Sequence, residues 1–226
     1  MALSGKGAII IWNGITDEAR AQFYDWHNHE HMPERLGIPG FLRGSRYGAT
    51  SPATQPYFLT IYELADKSIA TSAPYLARLN APSDWSRSTM LHFRHMIRAL
   101  TAIERSEGSG PGGAIAAISF EDSTRGAAAL KSARNSETMI AELARMPRVT
   151  GAHLCITDPG ASAAKTAESR HRNDSIVAPI GVVLIEGCDE PAVRDAVAAL
   201  LSKCTLDPAA LTIGTYALQH AIGPGS

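Results

Sequence analysis

Hydrophobic positions along the chain predict the same order of elements in each half of the sequence. In the first half, continuous or alternating apolar runs predict strands at residues 8–12, 41–47, 57–64 and 95–104. Helical spacing predicts a long helix that begins at Thr16 and ends near Leu36, just before Gly37. A second helix is predicted to begin near Asp66, so the first half has the order βαββαβ.

The second half repeats this order after a short segment rich in glycine, serine and proline. Its predicted strands and helices are residues 114–120, 125–146, 150–157, 180–186, 190–203 and 211–220. Because glycine adds backbone freedom and no apolar surface, residues 107–113 are predicted to link two units, residues 1–107 and residues 113–226. Residues 158–178 are polar and predict a surface loop.

The βαββαβ order predicts a ferredoxin-like unit, in which two helices cover one face of an antiparallel sheet. The other face of such a sheet is apolar and must be covered as well. Two units in one chain achieve this when their sheets pack against each other. We therefore expect an α+β protein in which two tandem ferredoxin-like βαββαβ units pack sheet to sheet as a pseudo-dimeric α+β barrel.

Composition then excludes several classes of function. The 226 residues are 45% hydrophobic and 19% charged, as in ordinary globular proteins, and a net charge of -1 gives no field that would attract nucleic acid. No apolar run approaches the ~20 residues of a membrane-spanning helix, and the N-terminus lacks the pattern of a secretory signal, so a cytoplasmic location is expected. Three cysteines without C-x-x-C spacing favour neither a disulfide scaffold nor a thiolate zinc site.

A histidine cluster in the first predicted helix is the main candidate for chemistry. Three of the eight histidines lie within five consecutive positions. Because positions four apart lie on one side of a helix, His27 and His31 share a stripe with Phe23 and Arg35, whereas His29 points elsewhere. Histidine can take and give a proton near neutral pH, since its unperturbed pKa is about 6.5. The pattern favours general acid and base chemistry by His31 and His27.

Pro33 follows this cluster and is expected to distort the helix. Proline cannot donate to the carbonyl group four residues back, here that of His29, so a kink is predicted beside the imidazoles. Two other interpretations of the cluster stay open. The imidazoles can be structural, in the core or on a solvated face. Alternatively, His27 and His31 can chelate a divalent ion, although H-E-x-x-H spacing and an evident third ligand are missing.

Further side chains are candidates for a pocket around the histidines. Four aromatic residues, each of which can also be a core residue, are predicted to supply flat apolar walls for a substrate: Trp26, Tyr47, Tyr62 and Trp85. His92 and Arg94 precede the last strand of the first half. There they could bind an oxyanion or a carboxylate, or form a solvated helix end.

The histidine cluster also belongs to a longer motif. His31-Met-Pro33, then Pro39-Gly40, then Tyr47 follow one another at the end of the helix and along the next strand. Residues 26–47 thereby resemble the EthD-like branch of the dimeric α+β-barrel superfamily, whose pattern is an aromatic residue and His-x-Pro, then Pro-Gly, then an aromatic residue near the end of a strand. Residues 144–148 of the second half contain no histidine, so no second equivalent site is expected.

The resemblance implies a pocket between the helices and the sheet in which small aromatic or ring-derived compounds react, in many members without an organic cofactor. The superfamily also contains cofactor-free monooxygenases and haem-binding branches, and homo-oligomers of such barrels are common. The sequence lacks the motifs for nicotinamide, nucleoside triphosphate, serine-hydrolase and zincin chemistry.

We therefore expect a cofactor-independent enzyme that uses His31 with His27, and with His92 nearby, on a small aromatic or cyclic carbonyl or phenolic compound. The reaction would be of lyase, isomerase or hydrolase type, in aromatic catabolism. Neither a cofactor nor a metal ion is expected, and neither nucleic acid nor a membrane is an expected partner. Two alternatives stay open: a cofactor-free or haem-binding monooxygenase, and a non-catalytic barrel that binds a small molecule.

Overall fold

The computed structural model describes residues 3–162 and 176–223, which contain a closed barrel of eight antiparallel strands. The strands are β1 (Gly7–Ile15), β2 (Phe41–Ala49), β3 (Phe58–Leu64), β4 (Phe93–Gly108), β5 (Ala114–Phe120), β6 (Val149–Thr157), β7 (Gly181–Gly187) and β8 (Leu211–Ile222). Around the barrel their order is β1, β3, β2, β8, β5, β7, β6 and β4, and β4 pairs with β1 again. The predicted combination of helices with a closed antiparallel barrel is confirmed.

Helices lie on the outside of the barrel. They are α1 (Arg20–Trp26), α2 (Met32–Leu36), α3 (Ala73–Asn80), α4 (Asp84–Met90), α5 (Thr124–Asn135), α6 (Met139–Leu143), α7 (Pro159–Ser162) and α8 (Glu190–Lys203). A π-turn at His27–His31 joins α1 to α2, and single 3₁₀ turns occur at Asp17–Ala19, Lys67–Thr71 and Pro208–Ala210. None of the helices in the described ranges is long and apolar enough to cross a membrane.

The barrel interior is a packed apolar core to which all eight strands contribute. Its buried members are Ala8, Ile10, Trp12, Tyr47, Leu59, Ile61, Ala99, Ile115, Ala117, Cys155, Val182, Leu184 and Tyr216. The positions that alternate with these along each strand face outward, toward the helices. Small-molecule chemistry must therefore be sought outside the barrel, between the strands and the helices.

The two halves cover their outer faces differently. In the second half, α5, α6 and α8 place an aliphatic layer on the sheet, with Leu130, Ile140 and Leu200 among its buried members. In the first half, aromatic side chains are common in the equivalent layer, and open space remains between the helices and the sheet. That space is the candidate site.

The predicted linker at residues 107–113 needs correction, because it begins inside β4. There Glu107 pairs with Ala152 and Gly108 pairs with Gly151 on β6. The strand continues since the neighbouring strand of the other half supplies its hydrogen-bonding partners. The chain between the halves is therefore a short connection within one closed sheet.

Two predicted helices are also interrupted. The helix predicted at residues 125–146 breaks at Ser136, where φ is −82° and ψ is 85°, and asparagine followed by serine favours such a turn over helix. The helix predicted from Thr16 begins with a 3₁₀ turn, and the Thr16 side chain makes no capping hydrogen bond. The predicted surface loop at residues 158–178 starts with α7, and most of it, residues 163–175, lies outside the described residues.

Candidate active site

The histidine cluster forms the π-turn between α1 and α2. The Met32 N–H donates to the carbonyl oxygen of His27, five residues back, in place of the usual four. Pro33 comes next and has no N–H to continue the regular ladder. The distortion predicted at Pro33 is thus present as a wider helical turn, a feature that recurs at functional sites.

The π-turn places two imidazole rings face to face. His27 and His31 are both buried, their ring centroids are 5.5 Å apart, and their planes differ by 22°. Phe23 extends the stack on the His27 side at 5.1 Å, and Trp26 lies 4.3 Å from His31. His29, in contrast, is exposed, which agrees with the predicted helical stripe.

The stacked rings lie on the wall of a cavity of about 800 Å³, a volume typical of sites for small organic molecules. The cavity lies between the helices of the first half and the outer face of the sheet, and residues 157–162 and 176–180 of the second half contribute to its lining. Five aromatic side chains line it together with aliphatic ones, and their flat faces suit a planar ring: Phe23, Trp26, Tyr62, Tyr75 and Phe93. Polar side chains reach it from the sheet and the helices: Asn13, His27, His31, Arg35, Thr60 and Arg98.

Arg46 determines the protonation of His27 from behind the cavity. Nη1 of Arg46 lies 3.0 Å from Nδ1 of His27, and because a guanidinium only donates, Nδ1 must accept. The proton of the neutral ring is therefore on Nε2. Burial, first, and the nearby Arg46 charge, second, hold the pKa of His27 well below its ordinary value. His27 is therefore neutral at physiological pH and carries a single N–H donor.

A second network holds Trp26 against His31. The indole Nε1 donates to Glu30 at 3.2 Å and to Ser86 at 3.1 Å. Ser83 donates to the same Glu30 oxygen at 2.5 Å, which ties the start of α4 to the histidine cluster. Because these bonds hold the indole in place, Trp26 is a rigid wall beside His31.

The structure brings together four of the predicted site residues and separates four others. His27, His31, Trp26 and Tyr62 line the cavity. Tyr47 does not, and its prediction as a substrate contact was wrong: the ring is buried in the barrel interior. Side chains alternate along β2, so Arg46 faces the histidines while Tyr47 faces inward, where burial raises the pKa of its hydroxyl group.

The other three predicted contacts also lie away from the cavity. Trp85 is on the outer side of α4 and is 36% exposed. His92 turns toward Thr16, with Nδ1 3.3 Å from the hydroxyl group. Arg94 donates to the carbonyl oxygens of its neighbours in the chain. The strand that follows them reaches the cavity with Phe93, Met96 and Arg98 in their place.

The hydrogen bonding of His27 does not suit a ligand of a metal ion or of haem iron. A metal-bound imidazole uses the lone pair of one nitrogen and usually donates its other N–H to a carboxylate or carbonyl group. Arg46 reverses this arrangement, because the lone pair of Nδ1 accepts and Nε2 carries the hydrogen. His27 therefore does not fit the role of an axial haem ligand. Among residues 3–162 and 176–223, no three His, Cys, Asp or Glu side chains are grouped so that they could hold a metal ion.

Comparison with known proteins adds the fold class. The chain is similar to an anthrone oxidase-like protein, with 9% identity, 97% of this chain and 93% of that chain covered, and a TM-score of 0.62. It is also similar to a candidate monooxygenase from Fusobacterium nucleatum (7% identity, 99% and 97% covered, TM-score 0.58) and to one from Lactobacillus acidophilus (11% identity, 97% and 97% covered, TM-score 0.55).

These similarities give the chain the fold of the dimeric α+β-barrel proteins. At such low identities they describe the fold alone. The sequence matches no protein-family model and no curated protein.

Proposed function

We propose that the chain is an enzyme that removes a proton from a small planar ring compound in the cavity of its first half, without an organic cofactor. One observation carries the proposal: two stacked, buried imidazoles line an aromatic-walled cavity of about 800 Å³, and one of them is held as an N–H donor. The two histidines then have different roles. His31 acts as the general base, and His27 donates a hydrogen bond from Nε2.

The proton transfer follows from these roles. His31 accepts a proton from a phenolic O–H or from a C–H group next to a ring carbonyl, and the electron pair that remains forms a phenolate or enolate oxygen. The Nε2–H of His27 hydrogen-bonds to that oxygen, and a donor that is already oriented stabilises developing charge at little reorganisation cost. When His31 returns the proton to another carbon atom of the substrate, the reaction is an isomerisation. When the electron pair of the enolate instead expels a leaving group from the adjacent carbon and His31 protonates that group, the reaction is of lyase type.

A second candidate shares the first step and differs in the fate of the anion. In a cofactor-free monooxygenase, the enolate or phenolate passes electrons to dioxygen, which is the oxidant. The names of the similar structures, an anthrone oxidase-like protein and candidate monooxygenases, favour this branch. Its haem-dependent version would require a ligand other than His27.

We also propose how the two halves of the chain are related to each other and to a family. The strand order within the first half is β4, β1, β3, β2, and the corresponding order within the second half is β8, β5, β7, β6. This correspondence supports a tandem duplication of a ferredoxin-like unit, with units at residues 1–107 and 113–226. Residues 26–47 support the EthD-like branch as the source of the motif.

The experiment compares His31→Ala with His29→Ala on a panel of anthrones, phenols, quinones and lactones. We expect wild-type protein to convert at least one compound and His31→Ala to lose about 10²- to 10⁴-fold in kcat/KM, since that is the usual contribution of a general base. His29 is exposed on the same helix, so His29→Ala controls for effects on the helix.

An oxygen electrode separates the two candidates, because only the monooxygenase consumes dioxygen when substrate is added. Wild-type turnover by His31→Ala would remove His31 from the mechanism. Calorimetric binding with no turnover of any compound would favour a non-catalytic barrel instead.

A further inference from the structure

We propose that Thr60 and Asn13 form an uncharged hydrogen-bonding subsite on the floor of the cavity, which binds a second oxygen substituent of the ring compound. The inference deepens the proposed function and rests on it for the position of the reacting oxygen, but the binding itself does not require turnover. It names the substrate class as planar ring compounds with at least two hydroxyl or carbonyl groups, one at the histidines and one at this subsite.

Thr60 brings a buried hydroxyl group to the cavity. The residue lies on β3, is only 2% exposed and lines the cavity. Among the described residues, none forms a hydrogen bond with its Oγ1. Buried polar groups in proteins are nearly always paired, because an unpaired one has lost the hydrogen bonds that it made to water. The cavity is where this hydroxyl group can meet a partner, and that partner would be a polar group of the ligand.

Asn13 brings an amide group to the same cavity from β1. It is 3% exposed, and its one hydrogen bond, from Nδ2 to the neighbouring carbonyl oxygen of Gly14, is long at 3.4 Å. Within the described part of the chain, Oδ1 accepts no hydrogen bond. Arg98, another polar lining residue, already contacts the Tyr75 hydroxyl group at 3.5 Å. Most of the hydrogen-bonding capacity of the Asn13 amide is therefore left for a ligand.

An irregularity of the sheet marks the position of Asn13. The pairing of β1 with β4 shifts between Trp12 and Gly14, so that β4 has one residue more than β1 at this point. On β4, His95 has a φ of 51°, which is a left-handed backbone conformation. Such bulges change the direction of a side chain or end a regular pairing, and they are over-represented next to active sites. The bulge thus supports a functional position for Asn13.

The strand register places the subsite beside the proposed acid and base. Thr60 lies opposite Arg46 on β2, and Arg46 contacts His27 over 3.0 Å. On its other side Thr60 lies opposite Ile11 of β1, and Asn13 is two residues further along the same face. Diagonal neighbours of this kind are about 7–8 Å apart. A flat ring with one oxygen at His27 can therefore present a second oxygen to Thr60 and Asn13.

The chemistry of the two side chains defines the group that they recognise. A hydroxyl group and a carboxamide both donate and accept hydrogen bonds, and neither is charged. A hydroxyl or carbonyl group of the ligand satisfies them, whereas a hydrogen atom or a methyl group at that position leaves them unpaired. A site that is built to bond a substrate hydroxyl group discriminates strongly against the analogue that lacks it.

The test compares 2-naphthol with 2,3-, 2,6- and 2,7-dihydroxynaphthalene by titration calorimetry, so that the ring stays the same and one hydroxyl group is added. We expect the wild-type protein to bind at least one diol about five- to tenfold more tightly than 2-naphthol, which is the usual gain from one such hydrogen bond. Thr60→Val and Asn13→Leu, which keep the shape of each side chain, should each lower this ratio. The double variant should bring the ratio close to one.

Thr150→Val is the matched control. The Thr150 hydroxyl group also has no partner among the described residues, but Thr150 lies on β6 and does not line the cavity, so the ratio should stay as in the wild type. Thr60→Ser keeps the hydroxyl group and should retain the ratio as well. Because the measured quantity is a ratio within each variant, partial unfolding does not change it.

Three results would overturn the subsite. The first is a wild-type protein that binds no diol more tightly than 2-naphthol, or that binds none of the probes. The second is an equal loss of affinity for diol and 2-naphthol in Thr60→Val and Asn13→Leu, and the third is a lost ratio in Thr150→Val. Turnover of a compound with one oxygen substituent, without any preference for diols, would overturn the subsite and leave the proposed catalysis. A preference for diols in a protein that turns over no ring compound would overturn only the proposed catalysis.

Discussion

The Arg46 guanidinium donates a hydrogen bond to Nδ1 of His27 over 3.0 Å, so a buried cation lies directly behind a buried imidazole. Asn28 accepts from the same Nη1 at 2.7 Å, and the guanidinium lies 4.8 Å from the centre of the Tyr24 ring. Within the described ranges no carboxylate lies within ion-pair distance of Arg46. A carboxylate that accepts a hydrogen bond from one ring nitrogen makes a histidine a stronger base. Arg46 instead donates to the ring, so His27 is a poor base and its Nε2–H is a fixed hydrogen-bond donor.

The first prediction concerns the tautomer of His27. Nitrogen-15 NMR of histidine-labelled protein should show His27 with a protonated Nε2 and an unprotonated Nδ1 at neutral pH, and this ring should stay neutral well below pH 6.5. In Arg46→Met the pKa of His27 should rise, because the nearby Arg46 charge, the largest cause of its depression after burial, is removed. It should stay below the ordinary value, since burial remains.

Arg94→Met is the control for this measurement, because Arg94 lies outside the cavity and does not contact His27. A His27 ring that titrates near 6.5 in wild-type protein, or one whose signals are the same with and without Arg46, would show that Arg46 does not set the tautomer.

A second prediction concerns stability in acid. The pKa values of His27 and His220 are lowered in the folded protein, in both cases mainly by burial. Below about pH 6.5 the unfolded chain therefore binds protons that the folded chain does not, and the free energy of unfolding falls as the pH falls. Each such group contributes at most ~1.4 kcal/mol per pH unit. Urea denaturation between pH 5 and pH 7.5 measures this slope.

His27→Gln should make the slope shallower because it removes one of these groups. Ser88→Ala should leave the slope as in the wild type, since it removes no titratable group and Ser88 is exposed in the folded chain. A stability that is flat over this range in wild-type protein would contradict the assignment of a neutral, buried His27.

Strand alternation determines which of the predicted site residues on the strands reach the cavity. The sequence motif draws attention to Tyr47, but consecutive residues of a strand point to opposite faces, so the adjacent Arg46 reaches the histidines. Nothing in the sequence alone states which face of β2 is turned toward the helix. The same alternation along β4 directs Met96 and Arg98 to the cavity, and it could have identified them if the inward face had been assigned from Ile97 and Ala99.

The helix could be predicted more fully, because its stripe needs only local spacing. Phe23, His27, His31 and Arg35 were expected on one side, and all four line the cavity. The π-turn itself has no such local rule beyond the missing N–H of Pro33. Contacts that depend on distant chain segments, such as the one between Arg98 and Tyr75, could not be predicted from spacing.

A third prediction tests the polar network at the end of the barrel in the second half. Glu186 is buried, accepts from the Gly112 N–H at 2.9 Å, and lies 3.5 Å from Nε2 of the buried His153. Glu186→Ala would leave the buried Gly112 N–H without its acceptor and remove the carboxylate beside His153, so we expect a loss of about 1–3 kcal/mol in the free energy of unfolding. Glu121→Ala, at an exposed position, is the control and should change it by less than about 0.5 kcal/mol. Equal effects of the two substitutions in urea denaturation would contradict a structural role for Glu186.

The fourth prediction concerns how closely α2 approaches the sheet. A Cβ atom at Gly44 of β2 would lie 2.9 Å from Met32 Cε, 3.0 Å from Leu36 Cδ2 and 3.1 Å from Tyr62 Cε1. Gly44→Ala must therefore displace the ends of the Met32 and Leu36 side chains or the Tyr62 ring, which overpacks this layer and should cost about 1–3 kcal/mol in the free energy of unfolding.

Because Met32 follows His31 directly and Tyr62 lines the cavity, the same displacement should weaken binding of a planar phenol such as 2-naphthol. Gly110→Ala is the matched control, since no heavy atom lies within 4 Å of a Cβ at that position. It should change stability by less than about 0.5 kcal/mol and leave binding as in the wild type. Thermal denaturation and calorimetry of both variants provide the comparison. A Gly44→Ala protein that matches Gly110→Ala in both measurements would mean that the close approach of α2 does not shape the cavity.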